Sequence, residues 1–325
     1  MVRPGRHSDR PTYVVPTTAT IAEAQNEFSA LRLLLAQRRI YSKAKRWSML
    51  RAIGVGVVAI AAPLVTFIWP FSAVIIGAIA GVWIVLSRTV FASLERHYSG
   101  QGAVIQEQFD MTIFGMLPAP SRVPEATPEL ISRTVGDDKA ATAAIEEQSL
   151  EGWYPFDLQL DGTPAIAIAQ RANAAYSERL LTLNARVWLT LTCTWSTITI
   201  TLSIGLGLPL STFLLGVALP LLPALLDVID QWRQTRQASR ERLNLANAIQ
   251  DAINESASDP IKPEELLVWQ DQLYGLRRDA PQVPNLLYWQ TRKKNELAMN
   301  AAARDLSDVA KKIASGGTTT SKDRT

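Results

Sequence analysis

The residue types that carry most enzymatic and metal chemistry are sparse in this chain and lie far apart. The 325 residues include one cysteine, Cys193, and two histidines, His7 and His97, so the sequence offers neither a disulfide framework nor the ligand spacing of a zinc site. No serine, cysteine or histidine belongs to a nucleophile–base motif, and no phosphate-cradling glycine loop occurs. We therefore expect no catalytic residue, no metal, no cofactor and no enzyme activity.

Four threonines at helical spacing form a hydroxyl stripe. In a helix, Thr190, Thr194, Thr197 and Thr201 lie on one face, and hydroxyls on such a face can replace the water ligands of a passing ion. The same hydroxyls can instead bond to a neighbouring helix or to a carbonyl one turn earlier, which is their commoner use. The stripe is a candidate pore lining, with helix packing as the alternative.

Two aspartates, Asp227 and Asp230, follow at the end of the same apolar region. They lie one turn apart, so copies of the chain in an oligomer would present rings of carboxylates at a pore mouth, which favour cations. The alternative is a hydrated pair at the membrane boundary, partnered by Arg233 or Arg236.

Ala73, Gly77 and Gly81 form a stripe of small residues. Such a stripe lets two helices approach closely, either within one chain or between copies.

Several cations are candidates for binding a phosphodiester, because guanidinium groups form paired contacts with phosphate and aromatic rings can stack on a base. The alternative is contact with lipid head groups, or an ion pair with a carboxylate such as Glu107 or Asp110, whose own expected setting is a solvated helix surface. The candidate cations are Arg38, Arg171, Arg277, Arg278, Arg292 and Lys293, and the candidate rings are Trp153, Tyr154 and Tyr288.

Two long stretches without Asp, Glu, Lys or Arg must position these residues. A bilayer core needs roughly 20 apolar residues of helix, so each stretch is too long for one crossing and suits two. Breaks fall at Trp69-Pro70-Phe71 and at the turn-rich residues 205–209. The four predicted spans are Ala52–Trp69, Phe71–Ser87, Val187–Ile204 and Leu210–Ile229.

The distribution of cations sets the predicted sidedness. Lys and Arg cluster beside the outer ends of both hairpins and are absent from the two tips, which places both termini and the central segment in the cytoplasm. Residues 188–203 alternate between apolar and polar types, a period typical of a strand. A lone strand in lipid would leave its backbone groups unpaired, so we predict a helix.

The predicted fold class is an all-α polytopic membrane protein, with four transmembrane helices in two hairpins and a helical cytoplasmic domain. The first cytoplasmic stretch is basic and the central one is acidic, so we expect them to dock beneath the bilayer. The predicted segments are a disordered basic arm (1–16), a cytoplasmic helix leading into the membrane (17–51), the first hairpin (52–87), a cytoplasmic helical segment (88–186), the second hairpin (187–229), C-terminal cytoplasmic helices (230–313) and a disordered tail (314–325).

Short blocks in the cytoplasmic segments recur in a fixed order around the two hairpins. They contain Gln37 and Arg38, then Gln106, Glu107, Phe109 and Asp110, then Trp153, Tyr154 and Pro155, then Gln170, Arg171 and Asn173, and finally Arg292. In this the chain resembles the SMODS-associated four-transmembrane effectors. It departs from the family pattern at Ala169, where a cysteine is usual, and at Ser177, where an acidic residue is common.

The resemblance implies an oligomeric, pore-forming effector in the bacterial inner membrane, acting in anti-phage defence. It implies activation by a nucleotide second messenger, a cyclic oligonucleotide from a partner synthase. The net charge of +3 is too small to indicate a nucleic acid polymer as a partner. A different class is a non-conducting, membrane-anchored scaffold or sensor whose cytoplasmic helices bind a partner. The lack of charged residues deep within the spans argues against a small-solute transporter.

Overall fold

The computed structural model of the chain describes residues 12–69, 73–117, 125–207 and 209–319. Within these ranges the regular secondary structure is helical, as the sequence predicts. The helices are α1 (Thr18–Ala24), α2 (Phe28–Ile68), α3 (Ala73–Leu86), α4 (Ala92–Phe114), α5 (Pro128–Val135), α6 (Asp138–Gln148), α7 (Gly162–Gly205), α8 (Leu210–Phe213), α9 (Leu219–Glu255), α10 (Pro263–Arg278) and α11 (Asn285–Thr319), with π-helical turns at Ser87–Phe91 and Leu214–Ala218.

Three long helices belong both to the soluble part and to the uncharged stretches. α2 has 41 residues, α7 has 44 and α9 has 37. At 1.5 Å per residue, α7 alone is about 66 Å long, more than twice the thickness of a bilayer core. The predicted continuation of the first cytoplasmic helix into the first uncharged stretch is confirmed.

Both uncharged stretches break where the sequence predicts. α2 ends and α3 begins on either side of Pro70, which itself lies outside the described residues. α7 ends at Gly205, and Gly207 follows with φ at +63°, a left-handed conformation that glycine adopts without strain.

Two stretches of the described residues are long and apolar enough to cross a membrane, Ala78–Phe114 and Gly162–Gly205. Only 17% and 6% of their most apolar windows are buried inside the chain, so these windows lie outside the hydrophobic core. They overlap the second and third predicted spans. Their exposed apolar side chains include Ile79, Val82, Val85, Leu191, Leu202 and Ile204.

The alternating segment 188–203 is helical, which confirms the choice of a helix over a strand. Thr192, Thr199 and Ser203 each donate a hydrogen bond to the carbonyl four residues earlier, at 2.8 to 2.9 Å. These bonds satisfy the hydroxyls within their own helix, so the polar half of the alternation needs no partner strand.

The predicted helix over 17–51 is wrong at one place, because a turn separates α1 from α2. Gln25 bonds to the main chain of Tyr154 in both directions, donating at 3.2 Å and accepting at 2.9 Å. Asn26 accepts from the Gly152 N–H at 2.9 Å. These hydrogen bonds reach a loop more than 120 residues away along the chain, so helical periodicity does not reveal them.

The predicted disorder of 1–16 is wrong for its last five residues; the first eleven lie outside the described part. The Tyr13 hydroxyl donates to the Phe114 carbonyl at 2.7 Å. The main chain of Pro16 lies against Gly162, where an added Cβ would come 1.9 Å from the Pro16 oxygen. This segment is therefore docked between α4 and α7.

The predicted tail over 314–325 is also partly wrong. α11 continues through Gly316 and Gly317 to Thr319, because glycines weaken a helix without ending it. The last six residues lie outside the described part.

One hydrophobic core draws on all three of the stretches that the sequence predicts to be cytoplasmic. It combines α1, α4, α6 and α10 with the parts of α2, α7, α9 and α11 that precede or follow the uncharged stretches. Among its buried side chains are Ile21, Leu34, Phe109, Ile166, Ile249 and Leu266.

The expected docking of the basic first stretch on the acidic central stretch is confirmed. Arg32 Nη1 lies 3.0 Å from Asp138 Oδ1 at the start of α6. Arg39 donates to the carbonyls of Thr134 and Val135, at 3.0 and 2.8 Å, where the C-terminal end of α5 favours a cation.

The first hairpin is closed by a tryptophan that packs on a glycine. A Cβ at Gly54 of α2 would lie 1.8 Å from Trp83 Cε2 of α3, so the indole occupies the space that any larger residue would need. The Trp83 ring packs 5.5 Å from Phe91, and Phe91 stacks 5.6 Å from Trp47.

The Gly54 contact predicts an asymmetry between two nearby glycines. Gly54→Ala should lower the free energy of unfolding by about 1–3 kcal/mol, because the indole must move. Gly56→Ala is the matched control: nothing lies within 4 Å of its added Cβ, and it should be neutral or stabilising by up to about 1 kcal/mol. Unfolding of the purified protein in detergent measures both, and equal effects would contradict the packing.

Candidate functional site: a buried ion network and a basic aromatic cluster

Two carboxylates of α4 are buried in the hydrophobic core. Glu107 and Asp110 are 3% and 0% exposed, so the predicted solvated helix surface is wrong for this pair. Burying two carboxylates is costly unless cations and hydrogen-bond donors face them.

Arg277 of α10 is the cation that faces both carboxylates. Its Nη2 lies 2.6 Å from Asp110 Oδ2, and its Nη1 lies 3.4 Å from Glu107 Oε2. Burial alone would lower the pKa of Arg277, but Asp110, then Tyr154 and Glu107, raise that pKa above its ordinary value. The ion-pair alternative is therefore confirmed for Arg277.

The amide side chains of two glutamines extend this ion pair to α7 and to a second position on α10. Gln270, two turns before Arg277 on α10, donates through Nε2 to Glu107 Oε2 at 2.7 Å and to Asp110 Oδ2 at 3.2 Å. Gln170 of α7 donates to Gln270 Oε1 at 3.0 Å and to a main-chain carbonyl of α10 at 2.9 Å. The network thus joins α4, α7 and α10.

Tyr154 connects the loop before α7 to the same network. Its hydroxyl donates to Asp110 Oδ1 at 2.9 Å and accepts from Asn173 Nδ2 at 3.2 Å. Its ring packs on Phe109 and Phe114, with centroids 6.4 and 5.8 Å away. Burial, and then the Asp110 charge, raise the pKa of Tyr154, so the hydroxyl stays a neutral donor.

A second buried arginine, Arg242, ties α9 to the end of α10. It donates to the Ala238 carbonyl at 2.9 Å and contacts the Leu276 carbonyl, near the negative end of the α10 dipole. Burial lowers the pKa of Arg242 to about 10.

The buried network explains several motif residues without any catalytic role. Sequence reasoning missed Gln270 and offered Arg277 chiefly as a phosphate ligand. The available signal was their spacing: seven residues apart, they share the apolar face of α10 with buried Leu266 and Leu273, where polar residues are unexpected. The motif residues that the structure brings together here are Glu107, Asp110, Tyr154, Gln170 and Asn173.

A different group of side chains lies where α2, α7 and α11 meet. The Lys45 Nζ lies 5.1 Å from the Tyr288 ring centroid, and that ring packs edge-on against Tyr176 at 6.5 Å. Burial lowers the pKa of Arg38, and the charges of Tyr288 and then Arg292 act on that pKa next. These five residues are called the basic aromatic cluster.

Of the other motif residues, Arg38 and Trp153 contact each other, and the rest contact neighbours outside the motif blocks. Gln37 is buried in α2, and Gln106 accepts a hydrogen bond from a tyrosine of α2 at 3.5 Å. Arg171 donates to a glutamine of α9 at 2.8 Å, apart from the basic aromatic cluster. Trp153 lies under Arg38, with the guanidinium 5.3 Å from its ring, and Pro155 is exposed.

The four threonines of the predicted pore lining are exposed on α7. Thr190, Thr194, Thr197 and Thr201 therefore lie on the outside of the single chain. Thr197 donates back to the Cys193 carbonyl at 2.9 Å. Helix packing within one chain thus does not account for this stripe.

The two aspartates at the second hairpin have different surroundings. Asp227 pairs with Arg88 at the end of the first hairpin, through Nε at 2.8 Å, so its partner is not the predicted Arg233 or Arg236. Asp230 is exposed, and it lines a cleft of about 890 Å³ between the hairpin ends.

The structure describes the side-chain surroundings of one residue of the small-residue stripe. Gly81 is exposed, and an added Cβ there would meet nothing within 4 Å. Ala73 and Gly77 belong to α3, but their side-chain surroundings lie outside the described part.

The buried network predicts a large effect for one arginine and a small effect for the next. Arg277→Met should lower the free energy of unfolding by about 3–5 kcal/mol, because it leaves two carboxylates buried without a cation. Arg278→Met should cost about 1 kcal/mol or less, since Arg278 pairs with Asp279 on the exposed surface.

A third variant separates charge from packing in this measurement. Adding Glu107→Gln and Asp110→Asn to Arg277→Met removes the uncompensated charges and should recover much of the lost stability. Chemical denaturation of the purified proteins measures all three variants. Equal costs for Arg277→Met and Arg278→Met would contradict the network.

Comparison with known proteins agrees with the resemblance seen in the motif blocks. The family model described as the SMODS-associating 4TM effector domain matches residues 19–306, from α1 into α11. A protein of Bacillus cereus (strain VD146), described as a probable CBASS effector molecule, is 22% identical over 293 residues, which are 85% of this chain and 95% of that relative. No solved structure matches. The chain belongs to the SMODS-associating 4TM effector domain family.

Proposed function

We propose that the chain is an oligomeric effector of anti-phage defence that forms a pore in the bacterial inner membrane when a nucleotide second messenger activates it. Its family and its similarity to a probable CBASS effector molecule support the role of defence effector. The observation that carries the pore is a hydroxyl stripe exposed on an otherwise apolar helix.

In this proposal the chain crosses the bilayer four times. The hairpins are residues 52–87 and 187–229, and the stretches 17–51, 88–186 and 230–313 form one soluble domain on the cytoplasmic face. Exposed apolar side chains on all the hairpin helices support this arrangement, because water would be a poor solvent for them.

Several copies of the chain are needed to enclose a pore. Thr190, Thr194 and Thr201 face away from their own chain, so a ring of copies would turn the stripes toward a common axis. Hydroxyls on that axis would replace water around a passing ion, and the apolar faces would contact lipid. Asp230 would add carboxylates at the cytoplasmic mouth, while Asp227 holds the two hairpins together through Arg88.

Activation in this proposal is a shift between two arrangements of the soluble helices. A ligand shifts such an equilibrium only by binding one arrangement more tightly than the other. α7 and α9 run from the soluble core into the second hairpin, so a change in their packing moves the pore helices directly.

Liposome leakage tests the proposed function. The full chain is reconstituted in liposomes that hold a trapped dye, and cyclic di- and trinucleotides are added one at a time. The activating nucleotide should release the dye. Liposomes that stay sealed while the protein binds a nucleotide and assembles would instead support a non-conducting scaffold or sensor.

The hydroxyl stripe predicts which threonines govern conduction. Thr190→Val, Thr194→Val and Thr201→Val should each lower single-pore conductance about fivefold, since the loss of one hydroxyl ligand costs the passing ion about 1 kcal/mol. Thr192→Val and Thr199→Val are the matched controls, because these hydroxyls bond within their own helix. Bilayer recordings in which both groups behave alike would remove the stripe from the pore.

A further inference from the structure

The basic aromatic cluster carries more positive charge than its neighbours neutralise. Arg38, Lys45 and Arg292 supply three cations. Glu296 accepts a hydrogen bond from Arg292 Nε at 2.6 Å and is the carboxylate that contacts one of them. Two cations are therefore left over among the described side chains of this cluster.

The contacts made by those two cations are with neutral groups. Lys45 donates to Asn285 Oδ1 at 3.0 Å, and Arg38 reaches the carbonyl and amide oxygens of Gln148 at a long 3.4 Å. Both cations are half-buried, and burial, with the Arg38 charge second, lowers the pKa of Lys45 to about 8. Cations held away from water without an anion gain strongly when an anion binds.

Two other shielded cations in the described part of the chain have carboxylate partners, whereas Arg242 contacts two main-chain carbonyls. Arg277 is paired with two carboxylates, and Lys311 lies 2.5 Å from Asp157. Arg38 and Lys45 therefore differ from Arg277 and Lys311 in that their hydrogen-bond partners are neutral.

Aromatic rings lie beside the excess charge. Tyr288 is flanked by the Lys45 ammonium on one side and by Tyr176 and Trp289 at its edges, with centroids 6.5 and 5.1 Å away. Trp153 supports the Arg38 guanidinium at 5.3 Å. Cations beside aromatic faces suit a ligand that carries both phosphate and a flat base.

We infer that the basic aromatic cluster binds a phosphodiester ligand, with Arg38, Lys45 and Arg292 contacting phosphate and Tyr288 contacting a base. Lys45 and Arg38 lie 7 and 14 residues before Ala52, or about 10 and 21 Å along α2 from the first predicted span. That depth favours a soluble nucleotide over a lipid head group. The identification of the ligand as the activating nucleotide rests on the proposed function.

Pyridoxal 5′-phosphate tests the site without knowledge of the natural ligand. Its aldehyde condenses with an unprotonated lysine amine, releasing water, and borohydride reduces the imine to a stable amine that mass spectrometry locates. In the full-length protein in phosphatidylcholine nanodiscs at pH 8, it should label Lys45 about tenfold faster than 5′-deoxypyridoxal, which lacks the phosphate and cannot close to a hemiacetal, because one added charge-assisted contact contributes about 1.4 kcal/mol. Exposed Lys43 should react equally with both reagents.

Neighbouring substitutions show whether the cluster is the cause of that preference. Arg38→Gln and Arg292→Gln should each remove most of the phosphate preference at Lys45, while Lys293→Gln, an equal charge change on the adjacent exposed residue, should preserve it. No preference at Lys45, or one that survives both arginine changes in protein with unaltered thermal unfolding, would overturn the site.

Competition identifies the source of the phosphate and separates this inference from the proposed function. Protection of Lys45 by a cyclic nucleotide in phosphatidylcholine nanodiscs supports a soluble ligand; protection by phosphatidylglycerol nanodiscs, with no effect of nucleotides, would overturn it in favour of a head group. Nucleotide-driven leakage with Lys45 unprotected would reject the site and leave the proposed function intact. A phosphate preference that depends on Arg38 and Arg292, with no leakage under any nucleotide, would reject the proposed function and leave the site intact.

Discussion

An arginine and two carboxylates, buried together between α4 and α10, constrain the soluble domain. Each charge taken out of water costs several kcal/mol unless its partners are in place, so Arg277, Glu107 and Asp110 tolerate few alternative packings. Gln170 and Tyr154 extend the same constraint to α7 and to the loop before it. The network gives the central and C-terminal stretches, 88–186 and 230–313, one register against each other, which a uniformly apolar core would specify less sharply.

The packing of the core also fixes the positions of the uncharged stretches, because the same helices run through both regions. α2, α7 and α9 continue from the soluble core into the uncharged stretches, and α4 is joined to α3 through a π-helical turn. Near the predicted bilayer surface, the Arg88–Asp227 pair connects the two hairpins. The Trp83 indole of α3 packs on α2 at Gly54. In the proposed mechanism, a ligand between α2, α7 and α11 therefore acts on helices that are themselves pore elements.

Local features of the sequence predicted the long helices and their breaks, because uncharged stretches, Pro70 and Gly207 act on nearby backbone. The family blocks also pointed to Asp110 and Tyr154, but not to what these residues contact. The turn before α2, the docking of Tyr13 and the burial of Asp110 depend on partners about 100 to 160 residues away in the chain, so no local pattern reveals them. The basic aromatic cluster was only partly visible in advance, since α11 packing decides which cations share its rings.

The central claim is that two uncharged stretches fold back through lipid and leave the soluble mass on one face. Its most direct test uses single cysteines in a Cys193→Ser background and a membrane-impermeant maleimide applied to spheroplasts, whose inner membrane is exposed from outside. Trp69→Cys and Leu206→Cys, at the two tips, should react at once, whereas Thr127→Cys and Ser256→Cys should react only after the membrane is opened. Labelling of residue 127 or 256 on intact spheroplasts, or none at either tip, would contradict the account.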